Sequence, residues 1–195
     1  NQLKMSLNFL SQLSLQVHSN FFRHRTPIKF QLYRVFWLII WTIFIRPIPR
    51  SYMNRWKIII LRLFGSKVNK NAIIYSSARI YNPKKLVMEE GAVLGPDTDC
   101  YNVAKVYIGK NSIISQKVFL CTASHDINKK TFDLISKDIL IKDNAWVAAD
   151  SFVGMGITIG ENSVVGARAS VFKDVPDNTV VGGNPAKIIK TRNQN

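Results

Sequence analysis

From residue 108 the chain repeats with a period of six, with an aliphatic residue at the first position and often glycine at the second. The units "IGKNSI", "ISQKVF" and "LCTASH" begin at Ile108, Ile114 and Leu120. The beat resumes at Ile141 with "IKDNAW", "VAADSF", "VGMGIT", "IGENSV" and "VGARAS", then "VFKDVP" from Val171. The fifth position is mostly small or β-branched, as at Ser112, Val118, Ala145, Ser163 and Ala169. A helix would need apolar residues every 3.6 positions, which this run does not supply; short strands joined by corners need only this pattern. Three such units close a triangular coil of about 18 residues. Stacked coils place parallel strands about 4.8 Å apart, so that each aliphatic first position lies over another inside a prism. Gly109, Gly154, Gly160, Gly166 and Gly182 follow the inward residue, where a corner is expected to need the backbone freedom of glycine. Weaker repeats at Ile74, Ile80, Val87 and Val93 extend the prism upstream with shifts in phase. The fold class is an all-β solenoid over residues 71–185, followed by a tail at 186–195. Its hand does not follow from the pattern, because the usual crossover rule favours right-handed connections.

Residues 1–70 are of another kind. The first 88 residues hold 15 Lys and Arg and no Asp or Glu, whereas the rest hold 12 of each sign, so the formal net charge of +15 sits at the N-terminal end. An anionic partner is expected there. "PIKFQLYRVFWLIIWTIFI" reads as a helix stopped by "RPIPR", and "SYMNRWKIIILRLFG" as a second helix with Ser51 as N-cap and Gly65 as stop. Both are expected to cap the open end of the solenoid. Basic residues around Trp37, Trp41 and Trp56 also fit peripheral contact of residues 1–66 with an anionic membrane. The longest apolar run, Val35 to Ile45, is shorter than the roughly 20 residues that span a bilayer, so no transmembrane helix is expected. Two cysteines make no disulfide framework and the start lacks a signal-peptide pattern, which points to the cytoplasm.

The repeat fails twice. Leu120 to Ile141 is 21 residues, which is not a whole number of units, so "SHDINKKTFDLISKD" must leave the wall as a loop. Val93 to Ile108 is 15 residues, out of phase again, and holds "PDTDCYNVAK". Loops on rigid scaffolds are where chemistry is commonly placed. His125, the sole histidine after residue 24, stands at the root of the longer loop.

"CTASHD", "DNAWVAADSFVGMGITIGENSVVGARASVFKDVP" and "VVGGNPAKIIK" resemble the hexapeptide-repeat acyltransferases, in particular colanic-acid-type exopolysaccharide or capsule O-acetyltransferases; "RPIPR", "LGPDTDCYNVAKVYIG" and "SQKVFLCTASHD" extend the similarity over about residues 30–192. The resemblance implies a left-handed parallel β-helix, a homotrimer with sites between subunits, acetyl-CoA as co-substrate without a metal, and a carbohydrate acceptor. It makes His125 the general base that takes the proton of an acceptor hydroxyl attacking the thioester. Asp126, beside it, is a candidate to steady the ring, and Asn102 and Asp99 are candidates for acceptor binding. Trp146 matches an aromatic residue of the cofactor groove. Ala149 and Ala167 fall where backbone groups bond the pantetheine arm, and Lys173, Lys187 and Lys190 where basic residues meet the cofactor phosphate. Phe172 departs from the threonine common at its position.

Other functions compete with this one. Zinc catalysis as in gamma-class carbonic anhydrases needs about three protein ligands, and His18 and His24 lie in the leader, leaving His125 in the coils. Nucleophilic catalysis by Cys121 conflicts with its corner position. Nucleic-acid binding is disfavoured because the basic leader is interleaved with aliphatic runs and carries no reading motif. N-acetylation of a nucleotide sugar and acetylation of serine use the same base and stay open. A non-enzymatic β-helix scaffold would not need the extruded histidine.

Overall fold

The structure is a computed structural model that describes residues 27–48 and 53–193. Of residues 1–66, expected to meet a membrane, 1–26 with His18 and His24, and 49–52, lie outside the described residues.

Three parallel sheets form the walls of a prism about six coils long. Sheet A stacks β1 (Lys67–Val68), β4 (Leu86–Met88), β7 (Val106–Ile108), β12 (Ile139–Ile141) and β15 (Thr158–Ile159). Sheet B stacks β2 (Ile73–Ile74), β5 (Val93–Leu94), β8 (Ile113–Ile114), β13 (Trp146–Val147), β16 (Val164–Val165) and β18 (Thr179–Gly182). Sheet C stacks β3 (Arg79–Ile80), β6 (Asp99–Tyr101), β9 (Phe119–Cys121), β14 (Phe152–Val153) and β17 (Ser170–Val171). The inward positions, among them Leu94, Ile108, Ile114, Leu120, Ile141, Val153 and Val165, are wholly buried. Most strands contribute one such residue and β4, β7 and β12 of sheet A contribute two, so the core is a column of aliphatic layers repeated along the axis.

The upstream register differs from the expected one. Met88 and Leu94 point inward, and Val87 and Val93 do not. In runs where neighbours are all apolar, a slip of one residue exchanges the faces without changing the hydrophobic pattern. Coil length also differs. Val93 pairs with Ile73 and Ile113, 20 residues to either side, whereas Val164 lies 18 after Trp146. The extra residues of the lower coils fit the corners at 81–85 and 102–105, the first containing a 3₁₀ turn at Pro83–Lys85. The prism starts at β1, a few residues ahead of residue 71. Nor is 186–195 a plain tail, because β19 (Lys187–Thr191) folds back antiparallel on β18 after the cis Asn184–Pro185 bond.

The corner glycines serve a purpose other than the one expected. Gly109, Gly154, Gly160, Gly166 and Gly182 are not in the left-handed region; the positive-φ corner positions belong instead to Gly91 and Gly156 and to Asp97, Asn111, Lys117, Asn144, Asp150, Asn162, Arg168 and Asn178. At Gly109 and Gly160 what glycine supplies is space. A Cβ on Gly160 would stand 2.4 Å from the Asp177 nitrogen, and one on Gly109 2.7 Å from the Asp143 nitrogen, both backbone atoms of the next coil.

Helix α1 (Ile28–Ile40) continues as a π-helical turn, Trp41–Ile45, and α2 spans Asn54–Leu63. The residue before α2 is Met53, left-handed at φ 56; Ser51, the expected cap, lies outside the described residues. Gly65, at φ 91, ends the helix as expected. Together the helices close the open edge of every sheet. The Trp37 and Trp41 indoles donate to the Ile80 and Ala78 carbonyls at the edge of sheet C. Asn54 and Lys57 donate to the Ala72 and Ile74 carbonyls of sheet B, and Arg62 to the Val68 carbonyl of sheet A. Backbone acceptors that would otherwise template another strand are thus satisfied by side chains. Ile28–Ile45 is one helical stretch of 18 residues, long and apolar enough by composition to cross a membrane, which the 11-residue run did not reveal. It lies against the prism through Trp37, Trp41 and Ile45, while Leu32, Val35, Ile39 and Ile43 face outward.

Candidate functional site

The expected loop is a hairpin. After β9 the chain forms β10 (Ala123–His125), turns, and returns as β11 (Leu134–Ser136), with His125 opposite Leu134. Its root is tied down by Thr122, whose hydroxyl donates to the Tyr101 carbonyl and accepts the Ala104 N–H. Its tip is closed by Lys129 and Thr131, both bonded to the Asp133 carboxylate.

Within this frame the His125 Nδ1 lies 2.5 Å from the Phe132 carbonyl oxygen. A carbonyl can only accept, so Nδ1 carries the proton of the neutral ring and Nε2 holds the lone pair. Phe132 is the partner that sequence reasoning missed. Its φ of 45° is uncommon for a bulky residue, and such positions persist where surrounding contacts over-determine them. No local pattern marks a phenylalanine for that conformation. One carboxylate oxygen of Asp126 accepts the Asn128 N–H and so shapes the turn beside His125.

Asn102 is corrected more sharply. It is wholly buried, and its amide oxygen and nitrogen both bond to the backbone of Asn82, at 2.9 and 2.7 Å, so it braces two corners and presents nothing to an acceptor. Asp99 does face outward from sheet C, paired with Arg79 at 2.9 Å. Above Asp99 on the same sheet, Phe119 and Phe152 form an aromatic ladder that Phe172 continues. Burial pushes the phenol of Tyr101 above its ordinary value. The Cys100 thiol, wholly buried, is likewise pushed up by burial, with Asp99 adding to the effect.

The remaining candidates divide between two edges of the prism. Phe172 and Lys173 are exposed and lie on the edge between sheets C and A, the one from which the His125 hairpin leaves. Trp146 stands on sheet B, with Ala149 and Ala167 on the edge between B and C. Sheet C separates His125 from that second group within one chain. Trp146 is half exposed and its indole donates to the Ser115 hydroxyl. It lines an open depression of about 680 Å³ with Asn111, Ile113 and Arg192. Arg192, not anticipated from sequence, bonds the Asn162 carbonyl at 3.0 Å and so anchors the end of the returning strand. Lys187 and Lys190 are exposed on β19.

No protein-family model matches the chain. It is 43% identical over 171 residues to the protein of Escherichia coli (strain K12) named "Putative colanic acid biosynthesis acetyltransferase WcaF", a match covering 88% of this chain and 91% of that one. Over 91 residues it is 36% identical to a galactoside O-acetyltransferase of the same organism, covering 45% of each. Among solved structures, a maltose O-acetyltransferase from Clostridium difficile 630 superposes with a TM-score of 0.75 at 28% identity, over 86% of this chain and 90% of that one. A hexapeptide-repeat acetyltransferase of Vibrio cholerae, complexed with acetyl coenzyme A, shares the fold with a TM-score of 0.75 at 22% identity, over 90% and 98% of the two chains.

Proposed function

The chain belongs to the hexapeptide-repeat acetyltransferase family, and we propose that it moves the acetyl group of acetyl-CoA to a hydroxyl of a surface polysaccharide or its precursor, with His125 as general base. The observation that carries this reading is the hydrogen bond from His125 Nδ1 to the Phe132 carbonyl, which leaves the lone pair on Nε2. Nε2 takes the hydroxyl proton as the acceptor oxygen attacks the thioester carbonyl. The new C–O bond forms, the C–S bond breaks, and the imidazolium returns the proton to the departing thiolate. A positioned base of this kind contributes typically 10²- to 10⁴-fold. No acyl-enzyme is needed.

On this reading Trp146, Ala149, Ala167, Phe172, Lys173, Lys187 and Lys190 are the donor side. Because sheet C divides them between two edges, a homotrimer in which the edge of one subunit faces that of the next makes a complete site. The similarity to a colanic acid biosynthesis protein supports a saccharide hydroxyl as acceptor. Membrane contact belongs to the same reading: the outward side of α1 is apolar where a soluble capping helix carries polar residues, and no acid offsets the basic residues around it.

Calorimetric titration with acetyl-CoA tests the donor side without knowledge of the acceptor. One saturable site per chain, weakened in Lys173→Ala and retained in His125→Ala, is expected. Absence of binding in a trimeric sample overturns the reading. A panel of sugar hydroxyls, amino sugars and serine then separates O- from N-transfer.

A further inference from the structure

A cavity of about 230 Å³ lies between α1 and the lower coils of sheet C, on the side of the prism that carries the His125 hairpin. Its back wall is two indoles, Trp37 and Trp41, each pinned by its N–H to a strand-edge carbonyl. Its floor is Tyr81 packed edge-on against Tyr101, with ring centres 4.8 Å apart. Three arginines reach it. Arg34 stacks over the Tyr81 ring at 3.6 Å, Arg79 is paired with Asp99, and Arg46 is exposed where the helix ends. Asp99 offsets Arg79. Neither Arg34 nor Arg46 has an acidic partner among the described residues, so the cavity keeps a net positive charge against flat aromatic surface.

Its place relative to the proposed base is fixed by register. Tyr101 is paired with Cys121, and Arg79 with Asp99 one coil further down. At about 4.8 Å per coil, Tyr101 sits one step below the root of the hairpin and Tyr81 two steps below. A saccharide running along sheet C from His125 toward α1 would reach the cavity within a few sugar units.

Resting on the acetyltransferase reading above, we propose that this cavity is an acceptor subsite for an anionic group carried by the saccharide, either a sugar carboxylate or a phosphate ester. The chemistry matches part by part. Aromatic faces suit the apolar side of a pyranose. Asp99 and the protonated Tyr101 phenol suit sugar hydroxyls. Arg34 and Arg46 suit the anion, since guanidinium groups pair with carboxylate and phosphate by charge-assisted hydrogen bonds. Leu38 and Thr42 form the outer lip and carry the cavity onto the apolar side of α1, so an amphiphilic phosphate ester is sterically as acceptable as a uronic acid.

Tryptophan fluorescence reads the site directly, because two of the four tryptophans wall it. The full-length protein is titrated at constant ionic strength with glucuronic acid, inorganic pyrophosphate and glucose. Saturable change with glucuronic acid identifies a carboxylate subsite, and with pyrophosphate alone a phosphate subsite. In either case Arg46→Ala is expected to raise the apparent dissociation constant tenfold or more, with Arg34→Lys retaining part of the affinity. No saturable change with either anion, equal response to glucose, or indifference to Arg46→Ala overturns the proposal. Transfer assays with neutral and uronate-containing oligosaccharides address the enzyme reading separately. Absence of all transfer with the anion titration intact would refute that reading and leave an anion-binding site without an acceptor role.

Discussion

Lys57 offers the most direct test of how the prism is closed. Its side chain is 0% exposed and its ammonium donates to the Ile74 carbonyl at 2.6 Å, on the edge of sheet B that no strand covers. Lys57→Met keeps the buried stem and removes the donor. A carbonyl left without its partner costs about 1–3 kcal/mol, and loss of the ammonium's desolvation gives part of that back. A net destabilisation of about 1–2 kcal/mol is therefore expected. Lys57→Ala also removes three methylenes at about 0.8 kcal/mol each, for a total of about 3–5 kcal/mol. The pH dependence has a definite sign. Burial holds the Lys57 ammonium below the usual lysine range. Between its folded value and the unfolded one, near 10.4, the unfolded chain binds a proton that the folded chain does not, so stability rises with pH across that window. Guanidinium denaturation of wild type and Lys57→Met at equal protein concentration, at pH 7 and 9.5, measures both effects. The advantage of wild type over Lys57→Met should widen at the higher pH. A methionine variant as stable as wild type at pH 7, with no change at pH 9.5, would show that the edge carbonyl needs no donor.

Further predictions concern the site and the coils. His125→Asn can keep a donor toward the Phe132 carbonyl while lacking a base at the Nε2 position, so kcat for acetyl transfer should fall 10²- to 10⁴-fold with acetyl-CoA affinity unchanged; less than a tenfold loss would remove His125 from the proton transfer. Asn102→Ala should lower stability by roughly 2 kcal/mol through two buried hydrogen bonds and leave KM for the acceptor unaltered, whereas a raised KM in a normally folded variant would restore it to the acceptor site. Gly95→Ala brings a Cβ within 2.5 Å of the Ile114 carbonyl oxygen and should lower the melting temperature sharply; at Gly166 the nearest atom is 3.2 Å away, and the same substitution should be mild.

The period of six was sufficient for the prism because each coil repeats one local choice, an aliphatic residue inward and a polar turn at the corner. The same pattern failed at Val87 and Val93, where neighbouring apolar residues leave the face of the strand undetermined until the coil above selects it. His125 was legible as an interruption of the beat. Its partner was not, because the Phe132 carbonyl is presented by backbone conformation, on which side-chain type gives little information. Asn102 misled for a related reason: an amide near a turn reads alike whether it meets a ligand or the backbone of the next coil, and only the 20-residue spacing that brings Asn82 beneath it decides. The division of the donor-side residues between two prism edges is equally invisible in one dimension.

The two indoles at the foot of sheet C have a consequence for how such a chain can diversify. Trp37 and Trp41 both terminate the strand edge and wall the arginine-lined cavity. A substitution there changes what the cavity admits only by also uncovering the Ala78 or Ile80 carbonyl, so drift at these positions is coupled to fraying of the lowest coil. Arg46 carries no such tie among the described contacts. Variation in acceptor preference among descendants of this chain should accordingly gather at the rim of the cavity, while its back wall stays fixed by a requirement unrelated to the acceptor.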